Sequence, residues 1–127
     1  MPDKHLYEFA IIRVVPRVER EEFINVGVIL CSIKINYLKC GILMDRKKLI
    51  ALDPSAEIAL IQTYLDAFTK ICDGNKNGGP LASRNISERF RWLTAVRSSI
   101  IQTSRPHPGI SENLEETFEQ LFEAYVN

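Results

Sequence analysis

The sequence predicts an α+β fold: a single compact domain in which an antiparallel sheet of three to four strands is packed by two main helices. β-Branched and aromatic residues dominate the first third of the chain, and two later segments repeat apolar residues every three or four positions. A length of 127 residues suffices for one hydrophobic core. We expect a β-meander within residues 6–52, followed by helices over 54–73 and 113–126.

The first strands are predicted from apolar runs separated by a charged connector. Tyr7 to Val15 and Phe23 to Ser32 have the composition of strands that are buried on much of their surface. A third run, Tyr37 to Met44, follows a short turn and completes an antiparallel meander. Asn25 and Gly27 interrupt the second run, where a bulge that redirects the strand over the core is favoured over a notch facing a ligand.

The middle of the chain is predicted to be a turn, a long helix and a loop. Asp45 to Leu52 begins as an exposed basic turn, and Leu49 to Leu52 forms either a short strand or a pairing extension of the sheet. Asp53 as N-cap and Pro54 at the first helical position predict a helix that runs to Asp73. Turn-forming residues then predict a loop over 74–83.

The segment 84–110 is predicted to be a helix, a strand and a rigid turn. The helix is capped by Ser87, the strand spans Arg97 to Thr103, and Pro106 and Pro108 restrict the backbone around the turn. Since β-strands and turns expose polar side chains, this segment has a purely structural interpretation as well as a functional one.

The last helix is predicted to begin with a capping box formed by Asn113 and Glu116. Its apolar stripe consists of Leu114, Phe118, Leu121, Phe122 and Tyr125. We expect this helix and the 54–73 helix to cover the same face of the sheet. The other face then needs the 84–95 segment or a second subunit to cover it, so the sequence is consistent with a homodimer.

Charge is distributed unevenly, although the formal net charge is zero. Residues 84–110 carry five arginines against one glutamate, and residues 111–127 carry five glutamates and no basic residue. The two segments either offset each other within the fold or present opposite faces to a partner. Nucleic-acid binding is not favoured, because the net charge is zero and most aromatic residues belong to helix stripes.

The sequence lacks the motifs of catalysis and metal binding. It contains no GxSxG, no glycine-rich phosphate loop and no HExxH. Cys31, Cys40 and Cys72 do not form CxxC pairs, so we interpret them as reduced, buried thiols and expect neither a metal nor another cofactor. No apolar run is long enough to cross a bilayer and the N-terminus lacks a signal peptide, which predicts a cytoplasmic protein without a membrane role.

Several residues with hydrogen-bond donors lie near the single tryptophan, Trp92, in the sequence. Such donors, together with one stacking surface, are suited to an anion, a nucleotide or a protein partner. The candidate binding residues are Arg89, Trp92, Arg97, Ser98, Ser99, Gln102 and His107. His107 is the only candidate general base, and no orienting carboxylate lies near it in sequence, so an enzyme is the less favoured interpretation.

Two long segments, YEFAIIRVVPRVEREEFINVGVILC and RFRWLTAVRSSIIQTSRPHPG, resemble the bacterial domain-of-unknown-function family 3037 over nearly the full length of the chain. Val96 departs from the proline or alanine common in relatives, and Ser104, Arg105 and Pro106 stand where relatives often read Ser-Pro-Val-His-Pro. The positions that match the family pattern are Tyr7, Arg13, Pro16, Glu22, Phe23, Asn25, Gly27, Arg89, Trp92, Leu93, Arg97, Gln102 and His107 to Gly109. Of these, Arg13, Pro16, Asn25 and Gly27 are interpreted as structural.

The resemblance implies no established activity. It implies a HipA-like serine/threonine kinase as a partner, because members of the family are often encoded beside one. Our first hypothesis is a non-enzymatic accessory or interaction domain that binds this kinase through the arginine-rich 84–105 face or the acidic last helix. The alternative is a small domain that binds, or acts on, a phosphate-bearing molecule or nucleotide through the segment from Arg89 to His107.

Overall fold

A five-stranded antiparallel sheet forms the centre of this computed structural model, which describes residues 3–126 and confirms the α+β class. The sheet has one strand more than the predicted maximum. The strands are β1 (His5–Val14), β2 (Ile24–Ser32), β3 (Tyr37–Ile42), β4 (Ile101–Thr103) and β5 (His107–Ser111). The helices are α1 (Arg46–Leu52), α2 (Ile58–Asp73), α3 (Ile86–Thr94) and α4 (Leu114–Tyr125). Within the described residues, no helix combines the length and apolar character needed to cross a bilayer.

Strand β1 is central, and two short strands share its second edge. The order is β3-β2-β1-β4, and β5 pairs with the other half of β1. The predicted rigid turn is therefore wrong from His107 onward, since His107 pairs with Phe9 and Pro108 with Glu8. Proline lacks a backbone N–H but is tolerated on an edge strand, where that position needs no partner.

Ser104 bridges the break between β4 and β5. The backbone N–H of Ile11 donates to Ser104 Oγ at 2.8 Å, and the backbone N–H of Ser104 donates to the Ile11 carbonyl at 2.9 Å. A side-chain oxygen thus supplies the acceptor that a continuous strand would have supplied from its backbone. The hydroxyl keeps the middle of β1 fully hydrogen-bonded.

Ser104→Ala is expected to destabilise the protein by about 1–3 kcal/mol, because it leaves the buried N–H of Ile11 without an acceptor. Urea unfolding followed by circular dichroism measures the loss. Ser98→Ala is the control, since Ser98 is exposed in the same segment and its truncation is expected to change the free energy of unfolding by less than about 0.5 kcal/mol. Equal losses in the two variants would contradict the bridging role of Ser104.

The predicted bulge in β2 is confirmed and determines which residues face each side of the sheet. Ile12 pairs with Gly27 but Arg13 pairs with Asn25, so Val26 is the extra residue. Because of this shift, Val26 and Ile29 both belong to the core beneath α2, although residues three positions apart on a regular strand would face opposite sides. Val28 and Leu30 face the opposite side.

The two faces of the sheet are covered by different helices. The core on one face joins Ala10, Ile12 and Val14 to residues of α2 and α3. The core on the other face joins Ile11, Val28 and Leu30 to Leu114 and Phe118 of α4. The expectation that both long helices cover one face is therefore wrong. Because the chain covers both faces, the argument for a homodimer loses its basis, although dimerisation itself stays a prediction.

Residues 45–57 form a helix and a turn where a turn, a strand and a helix start were predicted. Asp45 accepts hydrogen bonds from the backbone N–H groups of Lys47 and Lys48 and so caps α1. Asp53 does not cap α2, which begins five residues later at Ile58. Its carboxylate instead accepts from Ser55 N at 3.0 Å and pairs with Arg17 at 3.5 Å. These local contacts hold the Asp-Pro-Ser segment in a turn.

The remaining helix ends follow sequence signals closely. The predicted end of α2 at Asp73 is confirmed, and Gly74 adopts a left-handed conformation with φ of 68°. Two 3₁₀ turns, Lys76–Gly78 and Pro80–Ser83, lie in the predicted loop. The N-cap of α3 is Asn85 and not Ser87. Asn113 caps α4 as predicted and accepts from the backbone N–H of Glu116.

Candidate functional site

Two adjacent clefts lie where α2, α3 and the start of β4 meet the end of β1. The apolar cleft has a volume of about 340 Å³, and the residues that line it include Tyr64 and Phe68 of α2 and Trp92 of α3. The arginine groove encloses about 560 Å³ and is lined by Arg13, Val15, Val18, Glu21, Phe23, Val96, Arg97, Ser98 and Gln102. Arg97 and Gln102 line both clefts.

Trp92 of α3 is exposed because other apolar residues already occupy the face of the helix that packs against the core. Phe90 and Leu93 are buried in the core, and the hydroxyl of Thr94 donates to the Phe90 carbonyl at 2.8 Å. Trp92 lies on the opposite side of the helix with 41% of its surface exposed. An exposed large aromatic beside an apolar cleft is a common feature of binding surfaces.

Arg97 is held against this tryptophan by two contacts. Its guanidinium carbon lies 4.1 Å from the centroid of the Trp92 ring, and Nη2 donates a hydrogen bond to the Trp92 carbonyl. The cation–π contact orders the arginine side chain, and its charge suits the C-terminus of a helix. Arg97 is thereby positioned at the boundary between the two clefts.

A hydrogen-bonded bend places the polar residues around Arg97. Ser99 Oγ donates to the Ile101 carbonyl at 2.7 Å, and Gln102 Nε2 donates to the Ser99 carbonyl at 2.8 Å. These contacts curve the chain over residues 98–100, so β4 begins at Ile101 and not at the predicted Arg97. Without the bend, Arg97 and Ser98 would continue along the sheet edge and would not close the cleft.

The structure brings together five of the seven predicted binding residues, namely Trp92, Arg97, Ser98, Ser99 and Gln102.

Arg89 and His107 lie outside both clefts. The Nη1 atom of Arg89 donates to the Cys72 carbonyl at 3.1 Å, at the C-terminus of α2. The ring of His107 lies 5.4 Å from that of Phe9, four residues along β1 from Arg13. Both side chains thus make contacts that stabilise the fold.

Arg13 lines the arginine groove, although the sequence alone did not indicate that it belongs to the candidate site. It lies directly opposite Asn25 on β2 and Gln102 on β4, so the three residues form one polar row across the sheet. Its guanidinium carbon lies 4.2 Å from the centroid of the Phe23 ring. A charge inside an apolar strand was the available signal, but the sequence interpretation assigned Arg13 and Asn25 to structure.

One group of side chains has the composition of a metal site. Ligand atoms of Cys40, Cys72 and Asp73 lie within 4.8 Å of one another. A hydrogen bond with Cys40, together with burial, raises the pKa of the Cys72 thiol, and burial raises the pKa of Cys31 to about 11. The guanidinium of Arg89 adds a positive charge beside Cys72 and acts in the opposite direction on the pKa of this thiol.

The acidic helix α4 is partly engaged by the sheet. Glu115 accepts hydrogen bonds from Lys39 Nζ at 2.7 Å and from the Tyr37 hydroxyl at 2.6 Å. These two contacts hold the pKa of the Glu115 carboxyl below its usual range. Glu115 is therefore neutralised by β3 and not by the arginine-rich segment.

Comparison with known proteins identifies the family. No curated protein and no solved structure matches the chain. The family model described as "Protein of unknown function (DUF3037)" matches residues 9–126, which is nearly the whole chain and includes both clefts. The chain therefore belongs to the DUF3037 family.

Proposed function

We propose that this chain is a non-enzymatic interaction domain that binds a segment of a partner protein in the apolar cleft. The observation that carries this proposal is the half-exposed Trp92, with Arg97 stacked on it, at the rim of a cleft lined by aromatic and aliphatic side chains. Tryptophan, tyrosine and arginine are the residues that most often dominate the energy of protein interfaces. Among the described residues that line the two clefts there is neither a histidine nor a cysteine, which favours binding over catalysis.

The expected occupant is a peptide segment that carries a large apolar side chain close to an acidic one. The apolar side chain fits the cleft between α2 and α3, where Tyr64 is 45% exposed and Leu60, one turn earlier on α2, is 38% exposed. The acidic side chain pairs with Arg97. Within residues 3–126, the ion pairs do not include Arg97, so its charge is available to a partner.

The arginine-rich face suits this role better than the acidic last helix. The apolar stripe of α4 is packed on the sheet through Leu114 and Phe118, and Glu115 is already bonded to Lys39 and Tyr37. The HipA-like kinase that the family resemblance implies is the first partner to test. We place this encounter in the cytoplasm, as the sequence predicts.

Trp92→Ala is expected to weaken binding to the HipA-like kinase by at least about 2 kcal/mol, or roughly thirtyfold in Kd, because it removes the central aromatic contact. Isothermal titration calorimetry of the purified proteins measures the change, and circular dichroism confirms that the variant is folded. Arg91→Ala is the matched control, because Arg91 is exposed on the same helix and bonds only to Ser87 among the described contacts.

Two results would count against the proposal. Unchanged affinity of Trp92→Ala for the kinase would place the interface elsewhere on the domain. No binding between the two unmodified proteins at high micromolar concentration would remove this kinase as the partner.

A further inference from the structure

We infer that the arginine groove binds an oxyanion, a phosphate or carboxylate group, between the guanidinium groups of Arg13 and Arg97. The groove shares only Arg97 and Gln102 with the apolar cleft. Its other residues come from β1, from the connector to β2 and, in the case of Val96 and Ser98, from the segment between α3 and β4. The inference goes beyond the peptide-binding role proposed for the apolar cleft, with which it shares Arg97, because it adds a second cation, Arg13, that the apolar cleft does not contain.

Arg13 occupies an unusual position for a cation. It lies in the central strand between Ile12 and Val14, which are both fully buried. Its Nε atom is buried and has no hydrogen-bond partner among the described residues. Leaving a buried donor unpaired is unfavourable, and native structures keep few such groups. The contact with the ring of Phe23 orders the guanidinium group at the wall of the groove, where a ligand could pair with its charge.

The neighbours of Arg13 form a polar row on one face of the sheet. Residues directly opposite each other in antiparallel strands share a face, which places Asn25, Arg13 and Gln102 side by side. Asn25 Nδ2 donates to the Tyr125 carbonyl at 3.2 Å, whereas its Oδ1 is buried without a partner. Two adjacent residues with unmatched polar atoms mark this end of the sheet as a place where hydrogen bonding is incomplete in the chain alone.

The charge of the groove favours an anion. The ion pairs within residues 3–126 include neither Arg13 nor Arg97. Glu21 is exposed at the rim and is the only acidic residue among the lining residues, so the groove has an excess of one positive charge. Arginine presents several N–H donors in a planar fork that matches the oxygens of phosphate and carboxylate. The volume of about 560 Å³ lies within the usual range for small-ligand sites.

The test is a titration of the ¹⁵N-labelled protein, followed by NMR, with inorganic phosphate and separately with acetate. Sodium chloride holds the ionic strength constant throughout. Saturable shifts are expected at the amides of Ser98 and Gln102. Arg97→Gln and Arg13→Gln are each expected to raise the apparent Kd about tenfold to a hundredfold, because a hydrogen bond to a charged group is lost. Arg91→Gln is the control and is expected to bind like the unmodified protein.

Each result of the titration either supports or overturns the inference. Saturation by phosphate alone, by acetate alone or by both supports the site and assigns the ligand class. Shifts that do not saturate, or that chloride reproduces, overturn the inference, as does unchanged affinity in Arg97→Gln. Should Arg13→Gln fail to fold, Arg13→Lys takes its place, because lysine keeps the positive charge but lacks the planar fork of the guanidinium group. Weakened binding is expected for this variant. An affinity equal to that of the unmodified protein would exclude Arg13 from the site.

Discussion

Phe118→Ala is expected to destabilise the domain by about 3–5 kcal/mol, the usual cost of removing a buried aromatic ring. Phe118 is 6% exposed and anchors α4 on the sheet face formed by Ile11, Val28 and Leu30. Its ring also contacts Phe122 and lies 4.6 Å from Lys39 Nζ. Since a typical domain is stable by only about 5–15 kcal/mol, this loss is a large fraction of the total. Chemical denaturation monitored by circular dichroism measures it.

Gln120→Ala provides the comparison on the same helix. Gln120 is exposed and its amide lies 3.4 Å from Glu116 one turn earlier. Its replacement is expected to change stability by less than about 0.5 kcal/mol. A loss below about 1 kcal/mol for Phe118→Ala would mean that α4 does not cover this face, and the argument for a second subunit would return.

Gly27→Ala is expected to destabilise the protein by about 3 kcal/mol, at the upper end of the range for overpacking. A Cβ atom at this position would lie 2.3 Å from the carbonyl oxygen of Gly41 on β3. That oxygen belongs to the backbone and cannot rotate away, so β2 and β3 must separate locally. The bulge at Val26 immediately precedes this glycine, and the close approach of the Gly41 carbonyl explains why no side chain fits at position 27.

Gly41→Ala is the matched variant across the same strand pair. Its added Cβ would lie 2.9 Å from the Cζ atom of Phe118, which belongs to a side chain and not to the backbone of the neighbouring strand. Unfolding in urea is therefore expected to show a smaller loss for Gly41→Ala than for Gly27→Ala. The reverse order would contradict the close approach of β2 and β3 at Gly27.

The elements that depend on local sequence were the predictable part of the fold. Strands β1 to β3 follow from runs of β-branched and aromatic residues, and the ends of α2 and α4 follow from Gly74 and Asn113. The bulge followed from Gly27. In each case the residue types that signal the feature lie within a few positions of each other, so they are visible in the pattern.

Features that depend on distant contacts were not predictable. The face that each helix covers depends on which side of β2 is apolar, and the bulge at Val26 changes that alternation midway along the strand. Strand β5 contains Pro108, which argues against a strand unless the residue is known to lie on an edge. Helix α1 has only seven residues, too few for a helical pattern to be distinguished from a strand.

The types of residue that form the candidate site were predictable from the sequence, but the individual residues were not all predictable. The donors near Trp92 do line the clefts. Arg89 and His107 are residues of the same polar type, but Arg89 contacts the Cys72 carbonyl and His107 contacts the Phe9 ring. Arg13 joins the site through register with Gln102, which is 89 positions away along the chain. No local pattern encodes that pairing.

A peptide-display selection on the folded domain tests most directly whether the apolar cleft binds a partner segment. The selection uses the unmodified domain alone, and the enriched peptides are afterwards titrated against both the unmodified domain and Trp92→Ala. We expect the enriched peptides to combine a large apolar residue with a nearby aspartate or glutamate and to lose binding to Trp92→Ala. Enrichment no greater than the display background, or enriched peptides that bind Trp92→Ala as tightly as the unmodified domain, would contradict the proposed role of the cleft.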